Sequence, residues 1–235
     1  MTYHLLAFLS VLIFACIHLL AEKFKEMGWT IHGSLISIGG GISIAYVFID
    51  LLPKLSSSNV LVSQTLSGVI PYFERHVYIM ALCGFLLFFF VDRIEKDQNH
   101  KKAFWLSLSS SALFNFLIGY AVTDQNNPEV RPLFLFTLAL AMYYLANDYS
   151  LTKVHRKIYK KQGRWILILS LFLGWLIGLW IDFPPTAVAL ASAFIGGGVI
   201  MNVIRHELPG DRSNSLAGFL LAAIVYMAIL LLVGT

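Results

Sequence analysis

The chain has 235 residues, of which 58% are hydrophobic and 13% are charged, and its formal net charge is +4. Soluble globular domains carry about 25% charged residues. This composition excludes an ordinary water-soluble protein and favours a chain that lies within a lipid bilayer.

Long apolar blocks run through the whole sequence. A helix needs about 20 apolar residues to cross the hydrocarbon core, and a lipid-exposed backbone has to satisfy its own hydrogen bonds. The blocks also lack the alternating pattern of an outer-membrane barrel. We therefore predict an all-α integral membrane protein with a single eight-span domain over residues 1–235. The predicted spans are residues 4–21, 31–53, 77–92, 103–123, 132–149, 165–181, 185–205 and 215–233.

The first apolar block has two interpretations, an uncleaved span or a secretory signal peptide. Residues 1–4 contain no lysine or arginine, and no small-x-small cleavage site follows the block. The sequence therefore predicts an uncleaved span. Cys16 and Cys83 both lie inside predicted spans, where a cysteine usually acts as a small hydrophobic residue.

The basic residues indicate the orientation of the chain rather than an affinity for nucleic acid. Cytoplasmic connections of membrane proteins are enriched in lysine and arginine. Of the seventeen basic residues, fourteen follow odd-numbered spans and three follow even-numbered spans. This asymmetry predicts a multi-pass protein of the cell (inner) membrane with both termini outside. The fourteen are Lys23, Lys25, Arg93, Lys96, Lys101, Lys102, Lys153, Arg156, Lys157, Lys160, Lys161, Arg164, Arg205 and Arg212, and the three are Lys54, Arg75 and Arg131.

The densest basic run, residues 153–164, interleaves its charges with Val154, Ile158 and Tyr159. An amphipathic extension of span five that binds anionic lipid is one interpretation. A solvated anchor that fixes the topology is the other.

Two short segments resemble each other. Residues 39–53 read GGGISIAYVFIDLLP, and residues 196–209 read GGGVIMNVIRHELP. The charge asymmetry predicts that span two runs outward and span seven inward, so the two copies are antiparallel. This is the pattern of an inverted repeat, with spans 1–3 and 6–8 arranged around spans 4–5. Close packing of helices through glycine explains the glycines equally well.

Three stretches carry a resemblance to a known family. They are residues 48–53 (FIDLLP), 114–121 (FNFLIGYA) and 139–148 (ALAMYYLAND). Together with eight spans, outside termini and inverted triplets, they resemble the ZIP family of zinc- and iron-regulated divalent metal transporters. The resemblance implies alternating access, with metal ligands on spans four and five.

The chain departs from the ligand pattern of that family. The histidine and acidic positions of the span-four motif hold Phe114 and Ile118, and the first positions of the span-five motif hold Tyr143 and Tyr144. Amide oxygens bind transition metals more weakly than imidazole or carboxylate groups. We therefore expect a divalent cation to bind loosely, and we identify no other cofactor. The candidate metal ligands are Asn115, Asn147, Asp148, Asp50, His206 and Glu207.

These candidates have structural alternatives. Asp50, Asp148 and the His206-Glu207 pair lie near predicted span ends, where a polar residue can serve as a solvated cap. Asn115 lies nearer the middle of a span, where an interhelical hydrogen bond is the alternative. The remaining histidines are scattered, with no pair at ligand spacing on one helix. They are His4, His18, His32, His76, His100 and His155.

The leading functional expectation is a ZIP-like transporter of divalent metal cations. Its partners would be the lipid bilayer and the metal ion, with no nucleic acid, and the sequence leaves a homodimer open. A non-transporting ZIP-like scaffold or regulatory protein is the alternative, because most of the family's ligands are missing. An enzyme is not expected, since neither a His-Glu-x-x-His helix nor a Gly-x-Ser-x-Gly elbow occurs.

Overall fold

The computed structural model describes residues 2–26, 29–66, 76–97, 100–123, 130–206 and 215–233, and these residues are almost entirely helical. Two short π-helical turns, Val47–Leu51 and Tyr159–Gly163, interrupt the α-helices. The α-helices are α1 (Thr2–Glu26), α2 (Trp29–Tyr46), α3 (Leu52–Leu66), α4 (His76–Asp97), α5 (His100–Ala121), α6 (Val130–Ile158), α7 (Arg164–Trp180), α8 (Pro185–His206) and α9 (Leu216–Val233).

Six helical segments of the described chain are long and apolar enough to cross a membrane. A shorter apolar helix covers His76–Val91. A multi-pass helical membrane protein is thus confirmed by the length and composition of its helices, while the count of eight spans stays a prediction. The six segments are Tyr3–Ala21, Ser34–Asn59, Phe104–Ala121, Arg156–Trp180, Pro185–Ile204 and Leu216–Val233.

The predicted fifth span, residues 132–149, is more polar than these segments because it contains threonine, tyrosine, asparagine and aspartate. Helix α6, which holds it, packs against α1, α2, α5 and α8. Its Thr137, Asn147 and Asp148 are all buried. A polar helix is tolerated at this place because its polar side chains face protein and not lipid.

The first π turn lies directly before Pro53. Proline has no backbone N–H, and its ring collides with the carbonyl group four residues earlier, so a regular α-helix cannot pass through it unchanged. The N–H group of Leu52 bonds instead to the carbonyl oxygen of Val47, five residues back. The helix therefore continues into α3 with one wider turn.

The second π turn reverses the chain. Helix α6 runs antiparallel to α5, since Ser111 lies beside Asn147 while Phe114, further along, lies beside Tyr143. Helix α7 runs parallel to α5, from Gly163 beside Leu108 to Gly178 beside Thr123. Tyr159 and Gly163 are buried in this turn, whereas Lys160 and Lys161 are exposed.

Glycines permit the closest helix contacts. A Cβ atom on Gly119 would overlap the backbone of α7 at Leu171, and one on Gly174 would overlap α5 at Phe116. Both glycine runs, residues 39–41 and 196–198, are fully buried. They therefore lie inside the bundle and not on its surface, where glycine allows neighbouring helices to approach closely.

Candidate functional site

A layer of buried polar side chains connects α1, α5 and α6. We call it the polar centre, and it consists of His18 of α1, Ser111 and Asn115 of α5, and Asn147 and Asp148 of α6. His18 and Asp148 are both completely inaccessible to solvent. Ionisable groups at such depth in a membrane protein are expensive and usually functional.

Hydrogen bonds join the members of the polar centre. Nδ1 of His18 lies 2.5 Å from Oδ2 of Asp148, and Nε2 of the same ring lies 2.8 Å from Oδ1 of Asn115. The Asn115 amide donates in turn to the Ser111 carbonyl oxygen at 2.8 Å. The Ser111 hydroxyl lies 3.4 Å from the Asn147 side-chain oxygen.

These bonds determine where the protons are. Because the Asn115 amide nitrogen donates to Ser111, its oxygen must face His18, and an amide oxygen can only accept. Nε2 of His18 therefore carries a hydrogen. A carboxylate next to an unprotonated Nδ1 would be repelled, so a second proton lies between His18 and Asp148. The pair is neutral as a whole, which is the least costly state for a buried site.

Two polar atoms of the centre and one of the neighbouring Tyr144 find no hydrogen-bond partner among the described residues. They are the Tyr144 hydroxyl, Nδ2 of Asn147 and Oδ1 of Asp148, and all are buried. Their residues are spaced three and four apart on α6, so they occupy one side of the helix. Buried polar atoms without a protein partner are commonly satisfied by water or by a bound ligand.

Asn147 can present either the nitrogen or the oxygen of its amide on the side of α6 that carries the Tyr144 hydroxyl and the Asp148 carboxylate. The Ser111 hydroxyl can donate to the Asn147 oxygen or accept from its nitrogen, so both amide orientations satisfy this contact. With the amide reversed, unpartnered oxygens of Tyr144, Asn147 and Asp148 lie on the same side of α6. Such oxygens suit a hard cation that keeps part of its water shell.

The polar centre lies between two hydrophobic clusters. On each of its three helices, the residues before and after the polar ones belong to different clusters. The larger cluster supplies Phe14, Phe114 and Tyr144 to one side of the centre. The smaller one, which we call the inner cluster, closes the other side with Ala21, Phe104, Leu108, Leu151, Tyr159 and Leu167.

The residues predicted as metal ligands lie in different parts of the bundle. Asn115, Asn147 and Asp148 all belong to the polar centre. They are connected there through His18 and Ser111. Asp50 does not join them, because it lies in the π turn and pairs with Lys54, 2.9 Å away. The His206 side chain and all of Glu207 lie outside the described residues.

The sequence analysis missed His18. The prediction considered only histidine pairs at metal-ligand spacing on a single helix, whereas the partners of His18 lie on two other helices, α5 and α6. The available signal was its location within an apolar segment, Tyr3–Ala21, where an ionisable side chain needs a partner. No group of three or more His, Cys, Asp or Glu side chains that could hold a metal occurs among the described residues.

The chain was also compared with known proteins. It matches no protein-family model and no curated protein. The polar centre and the helix packing around it are therefore the basis for assigning a function.

Proposed function

We propose that this protein is a ZIP-like membrane transporter that moves a divalent metal cation by alternating access, with the polar centre as its cation site. The observation that carries the proposal is the neutral His18–Asp148 pair, buried between two hydrophobic clusters of a membrane bundle and accompanied by unpartnered oxygens. An occluded polar site that is closed on both sides is what alternating access requires.

The donor set favours weak binding. Asp148 contributes one carboxylate, and the other oxygens belong to amides and a hydroxyl group, so water has to complete the shell of the ion. His18 is not part of this donor set, because both of its ring nitrogens are engaged with Asp148 and Asn115; it positions the Asp148 carboxylate instead. A transported ion has to leave its site as well as enter it, so loose binding is compatible with transport.

The packing of the helices supports an inverted repeat. Helix α2 packs along α9 as α8 packs along α4, and α1 packs along α6 as α7 packs along α5. If spans 1–3 are exchanged with spans 6–8, and span four with span five, each of these four contacts is converted into its counterpart.

The two glycine runs make matching contacts. Gly39 faces α6 and Gly41 faces α9, while Gly197 faces α4 and Gly198 faces both α4 and α5. In each run, one glycine packs against a central helix, α5 or α6. Another packs against the last helix of a three-span repeat, α4 or α9. The same exchange of spans relates the contact of Gly41 with α9 to the contact of Gly198 with α4.

The first π turn accounts for a difference between the two repeats. The Leu-Pro pair follows Gly41 by one residue more than its counterpart follows Gly198. A π turn takes one residue more than an α turn, and it occurs in the longer copy at Val47–Leu51. Helix α8 has no such turn through His206. The extra residue is thus absorbed without a change in the rest of the segment.

A non-transporting scaffold is the second candidate, and one observation favours it. Phe114, Ile118, Tyr143 and Tyr144 are completely buried at the positions where the resemblance implies metal ligands. In a scaffold, the polar centre would serve only to fix α1 against α5 and α6.

Cation uptake into reconstituted vesicles decides between the candidates. A zinc- and manganese-sensitive dye inside the vesicles should report uptake by the parent protein, and His18→Gln and Asp148→Asn should reduce it to the background of empty vesicles. His4→Gln and Asp182→Asn are matched controls, because both parent residues are exposed. Absence of uptake by a folded parent protein would favour the scaffold.

A further inference from the structure

A cavity of about 340 Å³ opens between α3, α6 and α8. Lys54 and Pro185 are exposed at its mouth, whereas Leu140 and Val199 are buried at its floor. Ala121 also lines it, next to Val122, whose carbonyl oxygen accepts a bond from Tyr3. The cavity therefore opens on the face of the bundle where α1 begins, which we call the N-terminal face.

Aromatic rings fill the space behind the floor of the cavity. Gly198, next to Val199, lies against the rings of Phe88 and Phe114. The centroids of Phe114 and Tyr143 are 4.7 Å apart, and Tyr143 follows Leu140 by three residues. Leu140 at the cavity floor precedes Asn147 of the polar centre by about two turns of α6, or roughly 10 Å along the helix.

The aromatic contacts continue to the polar centre. The rings of Tyr143 and Tyr144 are 5.6 Å apart, and Tyr144 meets the His18 ring edge-on at 4.9 Å. On the opposite side of the centre, the inner cluster forms a separate closure. The cavity therefore lies on the side of the polar centre opposite the inner cluster.

We propose that Phe114 and Tyr143 form a gate between the cavity and the polar centre, and that the cation reaches the centre from the N-terminal face when these two rings separate. This proposal rests on the transport function proposed above. The gate occupies the positions where the resemblance implies ligands, so the residues that weaken the metal site also block the way to it.

Thiol labelling tests the gate without measuring transport. Ser111→Cys is a nearly isosteric reporter at the polar centre, introduced after the exposed Cys16 and Cys83 are replaced by alanine. Phe114→Ala should increase labelling by a cationic, impermeant methanethiosulfonate reagent added at the N-terminal face roughly tenfold, because the stacked pair is lost. Labelling from the other face should remain slow.

Phe90→Ala is the matched control, because Phe90 is 58% exposed on the outer surface of α4. It should leave the labelling rate unchanged. Tyr143→Leu removes the other ring with a smaller loss of volume, so it provides the test if Phe114→Ala fails to fold. Size-exclusion chromatography and thermal unfolding establish which variants are folded.

The outcomes separate the gate from the transport function. Unchanged labelling in folded variants of a transporting parent would overturn the gate and leave the function standing. Equal acceleration from both faces would also overturn it, because it indicates general loosening of the bundle. Faster labelling from the N-terminal face alone, in a protein without cation uptake, would support the gate as a barrier and overturn the transport function.

Discussion

Two pairs of a carboxylate and a nitrogen base, His18–Asp148 and Asp50–Lys54, differ mainly in their surroundings. Their separations are similar, 2.5 Å and 2.9 Å. The first pair is completely buried, whereas the side chains of Lys54 and Asp50 are 47% and 22% exposed. Water can replace a lost partner in the second pair but not in the first, so burial and not distance decides what each pair contributes.

Removal of one buried partner should have the largest effect. Asp148→Ala leaves His18 without its carboxylate, and breaking a buried pair in this way costs about 3–5 kcal/mol of unfolding free energy. Equilibrium unfolding in mixed micelles measures the loss. The control is Asp182→Ala at an exposed position, which should change the free energy little. A loss for Asp148→Ala no larger than that of the control would show that water reaches the polar centre.

Removal of both buried partners should cost less than removal of one. In the double variant His18→Leu/Asp148→Leu no ionisable group of the pair remains, and such replacements are often neutral or stabilising. It should be about 2 kcal/mol more stable than Asp148→Leu alone, as a double-mutant cycle would report. Cation uptake should nevertheless be lost. Additive losses would indicate that the two side chains do not interact.

The convergence of Asn115, Asn147 and Asp148 could be predicted because each lies in an apolar block, where a polar group has to face the interior. The partnership of His18 could not, since it depends on how α1 packs against α5 and α6. The π turn could be anticipated in part, because Pro53 interrupts a helical pattern. The chain reversal between α6 and α7 follows from the predicted spans five and six, but its π-helical form at Tyr159–Gly163 could not be predicted, because the hydropathy pattern there is compatible with a loop or a helix.

New ligands beside the polar centre should strengthen cation binding. Phe114→His/Ile118→Asp places an imidazole and a carboxylate one helical turn apart on α5, next to Asn115. Divalent-ion affinity should rise on the order of tenfold or more, because imidazole and carboxylate groups bind such ions better than amides. Isothermal titration of the double variant against the parent measures the change. Leu113→His, at a position that is 45% exposed on the same helix, is the control.

Tight zinc binding by the parent, unchanged by these substitutions, would place the metal site elsewhere. Absence of binding by both proteins would instead favour the scaffold. Either outcome would leave the difference between the buried and exposed pairs intact, because that difference concerns stability and not metal affinity.

The exposed pair should have the smallest effect. Asp50 and Lys54 are four residues apart on one helical segment, and exposed pairs of this kind contribute about 0.3–0.5 kcal/mol. Lys54→Gln should therefore lower the unfolding free energy by no more than about that amount, and high salt should abolish the difference because it screens exposed charges. Asp50→Asn should give a similar result, since the substitution keeps the shape of the side chain. A loss of more than about 1 kcal/mol, independent of salt, would mean that water cannot replace the lost partner of Asp50 in the π turn. The comparison with the buried pair would then fail.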